Sequence, residues 1–219
     1  MSTEATRSSQ TSVETSAGVR LSMALAVFGQ VFLLASAWLL PFFSEYGLVD
    51  DHISELVLGR YGFVQTAAFL VSGVGVLALV YLLRGRLPRS AFSSVGLWLL
   101  AIYGVGAILA GVFPTDRIDS PADLQSLSAV GIVHSVISLV SFVAIVLGMF
   151  SLTWAFSLKA AWRRLTVWSA LLAGSALPMF LSQEQGSRTG LYQRALVTFV
   201  ALWIMMVAIK ARSLETRRA

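Results

Sequence analysis

The chain has 219 residues, of which 57% are hydrophobic and 12% are charged, with 16 basic residues, 11 acidic residues and no cysteine. Soluble domains carry about 25% charged residues, so this composition excludes an ordinary soluble domain and predicts an integral membrane protein. The lack of cysteine excludes disulfides, thiolate nucleophiles and cysteine-ligated metals. The basic residues adjoin apolar segments, which favours membrane lipids with anionic headgroups over nucleic acid as partners.

Six apolar segments, each about 20 residues long, can cross a hydrocarbon core of ~30 Å. Each is predicted to be helical, because backbone polar groups in lipid need partners within the segment. The fold class is therefore predicted to be an all-α integral membrane protein, a single six-transmembrane-helix bundle over 20–210. A disordered tail at 1–19 and a basic tail at 211–219 flank it. The predicted helices are 20–40, 61–83, 91–113, 131–156, 164–181 and 190–210.

The charges divide between the two ends of these segments. The amino tail, the turns around 84–89 and 159–164, and the carboxyl tail carry 12 basic and 3 acidic residues. The other three loops and their edges carry 4 basic and 8 acidic residues, with both histidines at or near them. The positive-inside rule predicts a multi-pass protein of the cell membrane with both termini cytoplasmic. Trp154, Trp162 and Trp168 cluster on the cytoplasmic side and are predicted to be interfacial anchors.

The first apolar segment allows two interpretations. Ala35-Ser36-Ala37 has the small-x-small form of a signal-peptide cleavage site. The apolar run continues to Phe43, however, so we expect a retained first helix. Cleavage would leave five spans in the same orientation.

The first outer loop contains a histidine and a carboxylate three residues apart. A helical turn would place His52 and Glu55 on one face, where they can share a metal ion or act as a base with its orienting acid. In the structural alternative, Asp50 or Asp51 caps a short interfacial helix and Glu55 lies in its first turn. That alternative gives His52 no role.

The second outer loop begins where Pro114 ends the third helix. Asp123 is predicted to be structural, because Ser120-Pro121-x-Asp123 has the form of a helix start. Asp116 follows directly after the turn, at the mouth of the membrane, and has no such structural role in the sequence. It is therefore a candidate site residue.

A polar stripe lies on the otherwise apolar fourth helix. His134, Ser138 and Ser141 are four and three residues apart and share one face. This face is expected to point into the bundle, because facing lipid would be costly. Either His134 makes one interhelical hydrogen bond, or it belongs to a functional site.

The third outer loop supplies charged residues next to the sixth helix. Arg194 is expected about one turn inside that helix, so its guanidinium needs a carboxylate or an anionic ligand. The predicted partners are Glu184, Asp116 or Glu55, in an ion pair that closes the outer mouth. In the functional alternative, Arg188 and Arg194 hold a phosphate or carboxylate headgroup.

These residues also carry a resemblance. The chain resembles a bacterial and archaeal family of six-helix membrane proteins known as domain of unknown function nine-nine-eight, over about residues 20–210. The resemblance implies the six-helix architecture and a shared outer site, and it implies no reaction. The family often has an acidic residue where this chain has Gln193. The motifs are His52-Ile-Ser54-Glu55-Leu56, Gly111-Val-Phe-Pro114-Thr-Asp116, Gly131-Ile-Val-His134 and Gly190-Leu-Tyr-Gln-Arg194.

The leading functional hypothesis is a membrane enzyme, a hydrolase or transferase, that acts on a lipid-like substrate at the outer leaflet. In its metal-dependent form, a divalent ion such as zinc is held by residues from His52, Glu55, Asp116 and His134 and activates a water molecule. In its metal-free form, His134 is the base and Asp116 orients it. The familiar Gly-x-Ser-x-Gly and His-Glu-x-x-His hydrolase motifs are absent from the sequence.

Substrate binding is assigned to Arg188, Arg194, Glu184 and Ser138 under this hypothesis. A small-solute or proton-coupled carrier is the first alternative, although the chain has no matched pair of interrupted helices. A non-catalytic membrane subunit or lipid-binding protein is the second alternative. The sequence leaves the substrate, the reaction and the oligomeric state open.

Overall fold

The computed structural model describes residues 2–117, 126–182 and 188–214, and the side chains from residue 17 onwards within them. These residues form six helices, each long and apolar enough to cross a membrane, and no strand. This confirms the predicted all-α six-span bundle. Short 3-10 helices follow at Leu40–Phe43 and Ile53–Leu58. The main helices are α1 (Ser2–Leu39), α2 (Gly62–Leu83), α3 (Ala91–Val112), α4 (Ala129–Ser157), α5 (Ala160–Ser182) and α6 (Thr189–Ser213).

The helices form a ring in chain order. Each helix packs against the next, α6 returns to α1, and α2 also contacts α6. One end of the ring carries the 44–61 loop and the starts of α4 and α6, and we call it the histidine end. The opposite end carries the turns after α2 and α4, with Arg84, Arg86 and Lys159, and we call it the basic end.

Apart from the start of α1, the helix ends lie within four residues of the predicted spans, and hydroxyl caps explain two of the helix starts. The Ser90 Oγ accepts the Ser93 N–H at 3.1 Å at the start of α3, and the Ser128 Oγ accepts the Gly131 N–H at 3.0 Å at the start of α4. The main difference is α1, which extends back to Ser2 through residues predicted to be disordered. A helix nucleated in the span at Ala17–Phe43 extends at little cost per added residue, because nucleation is the expensive step.

Aromatic side chains fill the core near the basic end. The rings of Phe156 and Trp162 stack with centroids 4.9 Å apart, and Trp203 lies beside Phe156. Trp162 is fully buried, so its predicted role as an interfacial anchor is wrong, whereas Trp154 and Trp168 are exposed as predicted. Trp162 faces inward because its indole N–H reaches the Arg86 carbonyl oxygen, 3.1 Å away, and so has a partner inside the protein.

Candidate functional site

The 44–61 loop lies across the start of α6 and is joined to it through backbone atoms. The Leu191 N–H donates to the Val49 carbonyl at 2.9 Å, and the Thr189 hydroxyl donates to the Asp50 carbonyl at 2.6 Å. Gly190 makes this approach possible, because a Cβ there would overlap the carbonyl oxygen of Asp51. The glycine is therefore required by the path of the loop.

Arg194 clamps the same loop from below. Its side chain is fully buried, and its Nε donates to the Ala37 carbonyl at 3.0 Å. Its Nη1 donates to the carbonyls of Leu48 and Asp51 at 3.0 and 2.7 Å. The sequence predicted a carboxylate partner from Glu184, Asp116 or Glu55. The hydrogen bonds described go to backbone carbonyls instead, because the loop turns its carbonyl oxygens toward α6.

His52 and Glu55 lie at the start of the short helix Ile53–Leu58. The Glu55 carboxylate accepts the His52 backbone N–H at 2.6 Å, and the His52 Nδ1 lies 3.5 Å from the same oxygen. The Ile53 N–H donates to the Gln193 Oε1 at 2.6 Å, which fixes this helix against α6. The short helix agrees with the structural alternative, but His52 occupies the capping position that was predicted for Asp50 or Asp51.

Asp116 ties the end of α3 to the start of α4. Its two carboxylate oxygens accept the Ser128 N–H at 2.6 Å and the Ser128 hydroxyl at 2.9 Å. A Cβ on Gly131 would overlap this carboxylate, which explains the glycine. Asp116 thus has the structural role that the sequence did not show, as an acid at the positive end of a helix. The helix start predicted around Asp123 lies outside the described residues.

His134 lies one turn inside α4 and is 3% exposed. Its Nδ1 lies 2.6 Å from the Phe113 carbonyl oxygen. A carbonyl can only accept, so Nδ1 carries the proton and Nε2 of the neutral ring keeps its lone pair. Nε2 makes no hydrogen bond within the described residues.

A cavity of about 50 Å³ adjoins His134 in the half of the bundle nearer the histidine end. This space is large enough for a few water molecules or a small polar group. Its walls are mostly apolar, and the polar stripe of α4 faces it as predicted. Such a mostly apolar pocket with a few converging polar groups is typical of binding sites. Its polar lining residues are Ser54, Tyr103, His134, Ser138, Ser141 and Gln193.

The structure separates the candidate residues into two sets. His134 and Ser138 line the cavity, whereas Glu55, Asp116 and Arg194 hold the loops above it. Arg188 is exposed at the start of α6, and Glu184 lies outside the described residues.

Metal binding has no support from these positions. No three His, Asp or Glu side chains in 2–117, 126–182 and 188–214 come together as a metal site. The set His52, Glu55, Asp116 and His134 therefore remains a prediction.

Two cavity residues were missed as site residues in the sequence. Tyr103 is an aromatic residue in an apolar helix, and its hydroxyl makes no hydrogen bond within the described residues. Gln193 was noted only as a departure from the family pattern. Its place beside Arg194, one turn after Gly190, was the available signal that it meets the 44–61 loop.

The comparison with known families agrees with these motifs. The model of the family described as "Protein of unknown function (DUF998)" matches residues 21–210. The chain belongs to this family. The match includes all four motifs, and so the DUF998 region contains the cavity, the 44–61 loop and the Arg194 clamp. No curated protein and no solved structure matches the chain.

Proposed function

We propose that this protein is a membrane enzyme, a hydrolase or transferase, that acts on a lipid-like substrate whose polar group occupies the cavity beside His134. The observation that carries the proposal is the orientation of His134. Its Nδ1 is hydrogen-bonded to the Phe113 carbonyl, Nε2 makes no hydrogen bond within the described residues, and the residue lines a mostly apolar cavity. A general base needs this arrangement, with one nitrogen held and the other directed at the reacting group.

In the proposed reaction, His134 Nε2 takes a proton from a water molecule in the hydrolase case or from a substrate hydroxyl in the transferase case. The oxygen attacks the substrate as it loses the proton, and His134 then gives the proton to the leaving group. Tyr103 and Gln193 line the same cavity and offer hydroxyl and amide donors to the charge that develops on the substrate.

The charged residues above the cavity act as its frame in this proposal. Arg194, Glu55 and Asp116 are occupied in holding the 44–61 loop and the start of α4. Arg188 is exposed at the start of α6 and is a cation that can reach an anionic headgroup. With the histidine end facing outward in the cell membrane, both termini are cytoplasmic, as the charge distribution favours.

Lipid binding without chemistry is the second candidate. Two observations favour it: a carbonyl rather than a carboxylate orients His134, and no hydroxyl is hydrogen-bonded to its Nε2 within the described residues. The carrier alternative has weaker support, because Thr153, Ser169 and Trp203 form a closed hydrogen-bond network in the other half of the bundle.

The test uses the whole protein in vesicles made from the lipids of its source membrane, with the lipid composition followed by mass spectrometry. We expect a lipid species to be consumed by the wild type and about 10²-fold more slowly by His134→Gln. His52→Gln is the matched control and should keep near-wild-type turnover, because the backbone N–H of residue 52, which Glu55 accepts, is unchanged.

The other outcomes separate the candidates. A lipid that is retained by the wild type and lost by His134→Gln, with no product in either sample, would overturn catalysis and establish lipid binding. Near-stoichiometric metal in the wild type that is absent from both His52→Ala and His134→Ala would support the metal-dependent mechanism instead.

A further inference from the structure

We propose that the apolar chain of the substrate lies in a lipid-facing groove between α3 and α4, and that the polar group reaches the cavity sideways through the contact of Gly106 with Ser141. This inference rests on the proposed function and deepens it. It names the substrate class as an amphiphile with a flexible apolar chain, taken up from within the membrane.

The groove lies on the outer surface of the ring and has a volume of about 280 Å³. Its surface is apolar, and its side chains are open to lipid: Trp98 is 72% exposed and Val105 is 46% exposed. In a membrane such a groove is filled by a hydrocarbon chain, because water there would leave its hydrogen bonds unmade.

The groove and the cavity share one wall. Gly106 of α3 and Ser141 of α4 line both spaces. The wall is thin because Gly106 has no side chain, and a Cβ there would overlap the Ser141 hydroxyl. This contact is therefore the place where the lipid-facing groove comes nearest to the cavity lined by His134.

Gly106 and Ser141 can separate without breaking a described hydrogen bond between their two helices. The Ser141 hydroxyl donates to the Ile137 carbonyl of its own helix at 2.6 Å, and it makes no hydrogen bond to α3 within the described residues. Parting α3 and α4 here loses dispersion contacts between small groups and breaks no interhelical hydrogen bond of Ser141.

Along the proposed route the lining changes from apolar in the groove to partly polar in the cavity, which matches the two parts of an amphiphile. From Ser141 toward the histidine end, Ser138 and His134 follow at one-turn intervals on the same face of α4 and line the cavity. The cavity, at about 50 Å³, is too small for a long chain, while the groove is several times larger. The chain therefore stays in the groove and the polar group enters the cavity.

The test uses photolabelling of the whole protein in vesicles that contain a long-chain alcohol, which carries a diazirine in the middle of its chain in one sample and beside its hydroxyl group in a second sample. Labelled residues are located by peptide mass spectrometry. We expect the mid-chain diazirine to label the groove, at Val105 and Trp98. The diazirine beside the hydroxyl should label Tyr103 and Val197, which line the cavity and are each only 5% exposed.

Two pairs of variants test the route. Val105→Trp fills the groove and should reduce cavity labelling by at least half, while Leu139→Trp, on the lipid-facing side of α4 but outside the groove, should leave it unchanged. Ser141→Ala thins the wall and should raise cavity labelling. Ser135→Ala removes the same type of bond, from its hydroxyl to the Gly131 carbonyl, and should have no effect.

Cavity labelling that is absent from the wild type, or unchanged in Val105→Trp, would overturn the route. Measuring cavity labelling and lipid consumption in the same samples separates this inference from the proposed chemistry. If the label follows the expected pattern while no lipid is ever consumed, the route holds and the proposed catalysis fails. If lipid is consumed and Val105→Trp has no effect on either readout, the catalysis holds and the route is wrong.

Discussion

The basic end and the histidine end of the bundle are held together in different ways. At the basic end, side chains close the structure: the Lys159 Nζ and the Trp162 indole N–H both donate to the Arg86 carbonyl, at 2.7 and 3.1 Å. The Trp203 indole N–H donates to the Ser169 hydroxyl at 2.6 Å, and that hydroxyl also meets Thr153. Aromatic stacking fills the space between α4 and α6.

At the histidine end, a long loop rather than a tight turn covers the helices. Arg194 and Thr189 bind its backbone carbonyls, and a cavity remains below it. His134 lines that cavity, and its Nε2 makes no hydrogen bond within the described residues. The difference shows that polar residues in a membrane bundle are of two kinds. Some use their hydrogen-bond donors and acceptors in packing, and others keep a donor or acceptor that can bind a ligand. The Nε and Nη1 donors of Arg194 are used in packing, although its buried Nη2 makes no hydrogen bond within the described residues. We propose His134 as the site residue, because it also lines the cavity.

The largest expected effect comes from breaking the histidine end at its clamp. Arg194→Ala removes the donors of three backbone carbonyls and leaves a hole under the 44–61 loop. We expect it to lower the free energy of unfolding by about 3–5 kcal/mol, measured by thermal unfolding in detergent. Arg194→Lys should recover only part of this loss, because an ammonium group cannot reproduce the planar guanidinium fork.

Arg188→Ala is the control for this prediction. Arg188 is exposed and lies less than two turns earlier, so its loss should change the stability little. Wild-type stability in Arg194→Ala would show that the clamp is not what holds the loop.

Forcing the loop away from α6 should have the next largest effect. Gly190→Ala places a Cβ against the Asp51 carbonyl, and we expect a loss of about 1–3 kcal/mol with reduced protection of the 44–61 amides in hydrogen exchange. Gly174→Ala on α5 is the matched substitution, with no atom within 4 Å of the added Cβ, and should stabilise by about 0.5–1 kcal/mol. Equal effects of the two substitutions would contradict the close approach at Gly190.

A change at the basic end should affect stability and leave the cavity alone. Ser169→Ala leaves the Trp203 indole N–H without its acceptor and should cost about 1–2 kcal/mol in thermal unfolding. Because the site residues are elsewhere, lipid turnover and cavity labelling should match the wild type. Ser157→Ala, which loses only an exposed bond to its own helix, is the control. Lost turnover in a folded Ser169→Ala protein would contradict the division between the two ends.

The smallest expected effect is a pH dependence at the histidine end. Burial raises the pKa of Tyr46 above its ordinary value of 10.0, with Arg117 opposing the shift. The unfolded tyrosine therefore loses its proton first, so the stability from this group is present below pH 10 and is lost as the pH rises toward the raised pKa. In alkaline unfolding experiments, Tyr46→Phe should lose stability less steeply than the wild type over that interval. Parallel profiles would show that Tyr46 is not buried in this way.

The helices were predictable from the sequence because hydrophobic length alone decides which segments cross a membrane. The predicted starts of α2 and α3 differ from the structure by at most one residue, and Ser90 caps α3 where the apolar run begins. The inward face of His134 was also predictable, because an ionisable residue avoids lipid. These properties depend on local sequence and on the solvent.

The roles of Arg194, Asp116 and Trp162 were not predictable, because each depends on where another segment's backbone lies. Arg194 needs acceptors, and carbonyls serve as well as carboxylates once the 44–61 loop passes over it. Asp116 caps α4 from a position twelve residues before Ser128, a distance that no local capping pattern covers. Trp162 was drawn inward by the Arg86 carbonyl of a different turn.

The Arg194 clamp also bears on how the 44–61 loop can change over generations. The described hydrogen bonds of the guanidinium go to main-chain oxygens, so the side chain of Leu48 takes no part in this contact and can vary. The Asp51 side chain is constrained separately, because its carboxylate accepts the Gly47 N–H at 2.5 Å. Gly190 and Arg194 have no such latitude, because one supplies the clearance and the other supplies the donors. The outward-facing side chains of the loop can therefore change while Gly190 and Arg194 keep its backbone in place. Such changes can alter which lipid headgroup is preferred without loss of the fold.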